Sequence, residues 1–313
     1  MRILFMGTGQ FGVPTLKSLL GSRHEVIGVV TQPDRPKGRG REMHVSRIKQ
    51  IALDSGIPVY QPEKVRAEEF VQQVREMSPD AFVVVAFGQI IPKSLLDIPR
   101  YGSVNVHASL LPKYRGAAPI HYALFHGETR TGVTTMLMDP GLDTGPMLLQ
   151  EELEILPEDN TGTLEARLAE IGAPLLLRTL DGLEDGSITP TPQDDSLASY
   201  APSIKKDDCR IQWNIPADDI VNRVRGCSPR PGAFTFHEGT ALKVWQCSAA
   251  MADGRYSPGE VVSVGGPGIL VAAGEGAVLL TEVQPECRKR MGAAEFARGS
   301  RIAPGAIFGT PPA

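Results

Sequence analysis

The chain has 313 residues, 42% hydrophobic and 22% charged, with 32 Lys plus Arg against 36 Asp plus Glu for a net charge of -4. At roughly 150 residues per domain, this length predicts two domains, and the apolar content is enough for sizeable cores. The charge balance excludes a uniformly basic nucleic-acid coat but leaves room for a local basic patch.

The longest apolar run, AFVVVAF at 81–87, is far short of the about 20 residues that a membrane helix needs. The amino-terminal MRILFMG holds too short an apolar stretch for a secretory signal. Cys209, Cys227, Cys247 and Cys287 form no C-x-x-C pair, which argues against a zinc or redox site and for free thiols in the cytoplasm.

In chain order, an apolar run at 3–6 leads into Gly7-Thr8-Gly9-Gln10-Phe11-Gly12 and a helical pattern at 14–20. G-x-G-x-x-G between a strand and a helix is the pattern of a dinucleotide fingerprint, with Asp34 as the ribose-binding acid. Asp34, however, follows Thr31-Gln32-Pro33, beyond the end of the second strand-like run at 26–30, and lies in a basic loop. We therefore read the glycines as turn chemistry. From 31 to 49 that loop reads TQPDRPKGRGREMHVSRIK. Arg35, Lys37, Arg39, Arg41, Arg47 and Lys49 oppose Asp34 and Glu42, six against two, a balance of +4. Pro33, Pro36, Gly38 and Gly40 forbid a regular helix through its first half. Guanidinium groups there can grip phosphates and stack on bases.

Further strand-like runs fall at 81–86, 104–106 and 133–138, with helical patterns between them. The first shows no alternation, as a strand buried on both faces should. From 160 to 185, Leu164, Leu168, Ile171, Leu175, Leu176, Leu180 and Leu183 recur at three- and four-residue spacing. This predicts a helix capped by Asn160 or Thr161 and ended by Gly186. Strands alternating with helices predict an α/β, doubly wound, mostly parallel Rossmann-like sheet domain over 1–188. Residues 189–206, within a Pro- and Ser-rich stretch that begins at 187, read as a surface linker. Beyond 207 we expect a helix at 216–226, with Pro216 in its first turn, and strands at 233–237, 241–247, 260–264, 269–273 and 277–283. Short strands separated by glycine-rich turns predict a small C-terminal OB-like β-barrel over 207–313. Eleven basic and eleven acidic residues make that region neutral, with a local cluster at Arg288-Lys289-Arg290, while Lys205-Lys206 sits at the linker's end.

The residues that suggest chemistry are Asn105, His107 and Asp143. Asn105 and His107 stand two apart at the end of a strand-like run, so their side chains share a face. They emerge at the carboxyl edge, where open α/β sheets place ligands. Asp143 lies in the turn-rich loop Gly141-Leu142-Asp143-Thr144-Gly145 after another strand. An amide, an imidazole and a carboxylate suit direct acyl transfer to an amine. The amide N–H donates to the developing oxyanion, the imidazole moves the amine proton, and the carboxylate orients the ring. A neutral amine needs no covalent enzyme intermediate, and the chain has no G-x-S-x-G elbow and no H-E-x-x-H. His121 and His126 carry no metal-ligand pattern, and no metal is expected.

At these residues the sequence resembles the folate-dependent formyltransferases. NVHASLLPKYRGAAPI at 105–120 and GLDTGPML at 141–148 carry the resemblance. TQPDRPKGRGRE at 31–42, VVVAFGQIIP at 83–92 and the linker-plus-barrel arrangement extend it over nearly the whole chain. They are similar to the branch of that family whose acceptor is methionine on initiator tRNA. The resemblance implies 10-formyltetrahydrofolate as donor, the methionine α-amino group of initiator methionyl-tRNA as acceptor, and a role in translation initiation. It implies that Asn105, His107 and Asp143 are catalytic and that Ser109, Leu110, Leu111 and Pro112 contact folate. Phe87, Gly88, Gln89, Ile90 and Ile91 fall where the pterin pocket runs, and Asp139 is assigned to the same cofactor site. Arg35, Lys37, Arg39 and Arg41, with Lys205, Lys206, Arg288, Lys289 and Arg290, are assigned to tRNA. The protein is expected to act as a monomer.

Rival readings remain open at this point. A formyltransferase acting on a small amine, or a 10-formyltetrahydrofolate hydrolase, would share the trio but would not need the basic loop or the barrel. An NAD-dependent oxidoreductase would use Gly7, Gly9 and Gly12 and leave the trio unexplained. A non-catalytic RNA-binding protein would have no use for the trio.

Overall fold

A computed structural model describes residues 1–37 and 42–309. The chain packs as two compact units. The first comprises residues 1–116, 130–154 and 165–200; the second comprises 117–129, 155–164 and 201–313.

In chain order the elements of the amino-terminal half are β1 (Arg2–Gly7), α1 (Val13–Leu20), β2 (Glu25–Val30), β3 (Arg35–Lys37), β4 (Glu42–His44), α2 (Arg47–Asp54), β5 (Val59–Tyr60), α3 (Glu68–Met77), β6 (Ala81–Val85), α4 (Lys93–Leu96), β7 (Ser103–His107), α5 (Pro119–Phe125), β8 (Arg130–Leu137), β9 (Met147–Glu154) and α6 (Thr161–Asp185). Seven strands form one sheet in the order β5-β2-β1-β6-β7-β8-β9. The first five of these pair in parallel; β8 and β9 add antiparallel. The strand order reverses between β1 and β6, so the loops leaving those strands diverge at a switch point.

Local chemistry accounts for this layout. Every residue of β6 is buried, as its uninterrupted apolar run requires between two neighbours in a covered sheet. β9 alternates half-buried with exposed positions over 149–154, the pattern of an edge strand with one wet face, and this strand was not read from sequence. The hairpin β3–β4 pairs Arg35 with His44 across the basic loop; its strands are too short and too charged to show a period. α6 begins as expected. Asn160 Oδ1 accepts from the N–H groups of Gly162 at 2.9 Å and Thr163 at 3.2 Å, and Gly186 follows the helix with φ of 76°. Its leucine stripe faces the core, and at Gly172 the helix closes on the sheet. A Cβ there would lie 3.2 Å from Val106 and 3.5 Å from Val133. Val106 thus faces α6, which turns Asn105 and His107 to the opposite face of β7.

The second unit contains α7 (Ala217–Cys227), β10 (Ala233–His237), β11 (Thr240–Ala250), β12 (Val261–Gly265), β13 (Gly268–Ala272), β14 (Ala277–Pro285), β15 (Met291–Gly292) and α8 (Ala293–Gly299). Its antiparallel sheet runs β10-β11-β14-β13-β12, with β15 on β14. All five strands expected from sequence are present; β15 and α8 were not foreseen. The two edges of the sheet are joined by the segment 306–309. Phe308 N–H donates to Gly259 O at 2.8 Å, Val261 N–H to Ala306 O at 2.8 Å, and Gly309 N–H to Phe236 O at 2.9 Å. Leu242, Val244, Val271, Val278 and Leu280 fill the interior.

The stretch read from sequence as a surface linker is tied by backbone hydrogen bonds along its course. Thr191 and Met147 exchange two backbone hydrogen bonds at 2.8 Å, and Arg115 N–H donates to Ser199 O at 2.8 Å. Residues up to Tyr200 therefore belong to the first unit, while 117–129 and 155–164, placed by sequence in the amino-terminal domain, belong to the second. Ladder-like ties made by single backbone groups leave no hydrophobic period to read.

Leu168 is fully buried in α6, so Leu168→Ala should cost about 2–5 kcal/mol. A lower urea midpoint with an unchanged slope would register it; an unchanged midpoint would place the side chain outside the core.

Candidate active site

Three loops converge at the carboxyl end of β7: 108–116 after β7 itself, 138–146 between β8 and β9, and 193–199 from the stretch just described. Asn105 pairs with Val84 on one side and Met136 on the other. Its half-buried carboxamide makes no hydrogen bond among the described residues. His107 is 6% exposed. Its Nε2 lies 3.0 Å from the carbonyl oxygen of Tyr114, and its Nδ1 lies 3.6 Å from Asp143 Oδ2. A carbonyl oxygen can only accept, so Nε2 carries the hydrogen. In the neutral ring, the Nδ1 lone pair therefore faces the Asp143 carboxylate. The sequence placed these two residues together; it could not have fixed the tautomer, because Tyr114 bonds through a main-chain atom.

Asp143 has φ of 53°, a left-handed conformation that Asp tolerates better than most residues. Its Oδ2 accepts from Gly116 N–H at 2.8 Å. The flanking glycines are required by space. A Cβ at Gly145 would lie 1.8 Å from the Leu137 carbonyl oxygen, and one at Gly141 would lie 1.9 Å from Thr144 Oγ1. Asp139, assigned by sequence to the cofactor site, spends its carboxylate on this loop. It accepts from Gly141 N–H at 3.0 Å and from Thr144 Oγ1 at 2.7 and 2.9 Å.

The 109–112 loop is braced from β8 and β9. Thr134 Oγ1 donates to Ser109 O at 2.7 Å and accepts from Leu111 N–H at 3.0 Å, and Gln150 Nε2 donates to Leu111 O at 3.0 Å. Ser109 is buried, its hydroxyl donating to Lys113 O at 2.7 Å. Leu110 packs so close to β8 that a Cβ at Gly132 would lie 2.5 Å from it. In the loop after β6, Phe87 and Ile91 point into the core while Ile90 is 90% exposed. Gln89 Oε1 accepts from Val65 N–H at 3.0 Å, and Gly88 has φ of 81°.

The glycine motif supports that same loop. The Thr8 and Gly9 N–H groups donate to Ala86 O at 3.3 and 3.2 Å, and Thr8 Oγ1 donates to Phe87 O at 3.3 Å. A Cβ at Gly7 would lie 2.6 Å from the Phe5 ring, and one at Gly9 2.9 Å from Ala86 Cβ. The glycines are thus needed for contact with the end of β6. Asp34 is paired with Lys49 and also accepts from Gln61 Nε2 at 3.1 Å.

Several supporting residues escaped the sequence reading, above all Arg115 and Gln193. Arg115 is 2% exposed, with Nε donating to Gln193 Oε1 at 3.0 Å and Nη2 to Asp195 Oδ1 at 2.8 Å. A charged residue inside KYRGAAPI gave no sign of burial; only its partners, some 80 positions on, explain it.

Of the residues assigned to tRNA, Arg35, Lys205, Lys206, Arg288, Lys289 and Arg290 are exposed. Arg39 and Arg41 lie outside the described residues, as does the side chain of Lys37. In the second unit, Lys206 stands 5.7 Å over the Phe234 ring, Arg210 5.4 Å over Phe236, and Arg290 3.6 Å over Trp245. Arg210 was not singled out from sequence. Among the described residues one cluster, His24 with Asp181 and Glu184, has metal-like spacing. Arg23 already pairs with both carboxylates. No helix among the described residues is long and apolar enough to cross a membrane.

Comparison with known proteins agrees with this architecture. Residues 1–180 match the family described as formyl transferase, and residues 203–301 match the formyl transferase C-terminal domain. The chain belongs to the formyl transferase family. It is 49% identical over 309 residues to the methionyl-tRNA formyltransferase of Citrifermentans bemidjiense, covering 99% of this chain and 96% of the relative. It is 52% identical over 302 residues to that of Solibacter usitatus, covering 96% of each. The solved structure of methionyl-tRNA formyltransferase from Clostridium thermocellum shares the fold, with a TM-score of 0.57 and 16% identity over 82% of this chain and 95% of that one.

The absence of space at Gly145 yields a test. Gly145→Ala should displace the loop carrying Asp143 and lower turnover by about 10²-fold, the cost of roughly 1 Å of misplacement. A circular dichroism spectrum like that of the parent, together with the lost rate, is the expected result; full activity would show that the loop has slack.

Proposed function

We propose that this chain transfers a formyl group from 10-formyltetrahydrofolate to the α-amino group of methionine on initiator methionyl-tRNA, acting as a monomer in the cytoplasm. The observation that carries the reading is the pairing of the His107 ring with Asp143, with Asn105 two residues away on the same strand, in a chain about half identical to methionyl-tRNA formyltransferases along nearly its full length. Residues 1–188 would carry the chemistry and 207–313 the second contact with tRNA.

In this reading the neutral amine attacks the formyl carbon, and the carbon–oxygen π pair moves onto oxygen. The Asn105 N–H donates to that oxyanion. His107 Nδ1, whose lone pair is free because Nε2–H is committed to Tyr114, accepts the proton lost by the attacking nitrogen. Asp143 then faces an imidazolium rather than a lone pair, so the pair attracts only once charge has developed. The carbon–N10 bond breaks, the proton passes to N10, and formylated methionyl-tRNA and tetrahydrofolate leave. Ser109, Leu110, Leu111 and Pro112 with Phe87, Gly88, Gln89, Ile90 and Ile91 would line the folate site. Asp139 would serve it by holding the neighbouring loop. Arg35, Lys37, Arg39 and Arg41 would grip the acceptor stem. Lys205, Lys206 and Arg288, Lys289 and Arg290 would add phosphate contacts on the barrel, where cations resting on aromatic rings are held with less freedom to lose.

The direct experiment supplies formylated folate and methionine-charged initiator tRNA, with elongator tRNA and small amines as controls. Formylation of initiator methionyl-tRNA alone is expected; equal use of a small amine would sink the tRNA assignment. Asn105→Ala should lower turnover about 10²–10³-fold, and His107→Ala about 10²–10⁴-fold. Near-parent rates in either would remove that residue from the chemistry. With about 4–6 phosphate contacts, tRNA affinity should drop on the order of 10²–10³-fold between 50 and 200 mM salt. A flat response would take the basic loop and barrel clusters out of the interface.

A further inference from the structure

The stretch 193–199 bonds the Asp143 main chain directly and reaches His107 through Tyr114, by groups that no sequence pattern marked. Gln193 Nε2 donates to the carbonyl oxygens of Asp143 at 2.8 Å and Gly145 at 2.7 Å. Its Oε1 is fixed by the buried Arg115 Nε at 3.0 Å. One amide therefore clamps two main-chain oxygens on either side of Thr144, in the loop where Asp143 is held at φ of 53°. Ser199 acts on the other partner. Its Oγ accepts from Tyr114 N–H at 2.9 Å, and its N–H donates to Pro112 O at 3.3 Å. Tyr114 has φ of 62°, and its carbonyl oxygen is the acceptor for His107 Nε2. Left-handed backbone at two non-glycine residues persists only where surrounding bonds hold it. Here the Gln193 and Ser199 bonds, from one segment, join the Gly116 N–H on the Asp143 carboxylate in holding it.

We propose that this segment is a positioning strap, in which Gln193 sets the Asp143 carboxylate and Ser199, through Tyr114, sets the tautomer and plane of His107. The inference rests on the reading that His107 and Asp143 are catalytic. The strap ends at Tyr200, and the second unit resumes at Ala201. The chain that aligns the reacting groups is thus continuous with the chain entering the barrel.

The test is a double-mutant cycle with kcat and KM resolved for each substrate. Gln193→Ala should lower kcat about 10–100-fold through misalignment, with KM for folate and for tRNA within about threefold of the parent. In an Asp143→Ala background, adding Gln193→Ala should change kcat no further, because the group it positions is gone. Ser199→Ala should likewise lower kcat, and Ser199→Thr, which restores a hydroxyl acceptor, should recover most of it. Thermal melting is followed on every variant; if Gln193→Ala has no cooperative transition, the Ser199 pair decides. A Gln193→Ala enzyme with parental kcat, an equal loss in the Asp143→Ala background, or no recovery in Ser199→Thr would each overturn the strap. An Asp143→Ala enzyme of parental kcat would instead overturn the catalytic reading itself, and it is distinguished because that single variant is measured first.

Discussion

The hydrogen bond between the His107 ring and the Tyr114 carbonyl organises what surrounds it. Because it ties down Nε2, the ring presents Nδ1 toward the Asp143 carboxylate at 3.6 Å. In the neutral ring, the Nδ1 lone pair faces that carboxylate across a gap slightly longer than a hydrogen bond. The arrangement becomes favourable when a proton arrives on the ring. In the reaction proposed above, such a site would favour the charge distribution of the intermediate over that of the free enzyme, which is the condition for accelerating a reaction rather than merely holding its substrates. The rest of the first unit can be understood as holding that gap open at a fixed width.

Much of the supporting structure consists of main-chain bonds and missing side chains. Gly172 lets α6 approach β7 from behind, and Gly132 lets Leu110 lie against β8. Gly145 tucks the Asp143 loop under the end of β8. Each works by excluding a Cβ, so β7 and the loops beside it, which carry Asn105, His107 and Asp143, rest on contacts that tolerate almost no added volume. The glycine motif after β1 does related work, holding the loop after β6 through Ala86 and Phe87 rather than cradling a phosphate.

Features with a period or a repeated word were legible in the sequence. The all-apolar β6, the leucine stripe of α6, the five barrel strands and the pairing of His107 with Asp143 follow from spacing, burial logic and family resemblance. What could not be read were interactions in which one partner is backbone, or in which the partners lie far apart in the chain. Gln193 is such a case: a polar residue in a Pro- and Ser-rich stretch that becomes a clamp only because Arg115, Asp143 and Gly145 fold around it. Arg115, buried despite its charge, is another. The edge strand β9 was missed because its charged positions disguise the alternation, and β15 because two residues cannot express one.

The closing of the barrel has a consequence for its synthesis. The strands β10 to β14 span residues 233–285, yet the two outer strands find a common partner only in 306–309. While the ribosome is still making that last segment, the outer edge of β12 presents unpaired N–H and C=O groups able to pair with another chain, whereas β10 is already partly covered by the Ile211 N–H on Phe234 O. A slow codon placed between residues 285 and 309 would therefore lengthen the time for which that edge stays open to another chain.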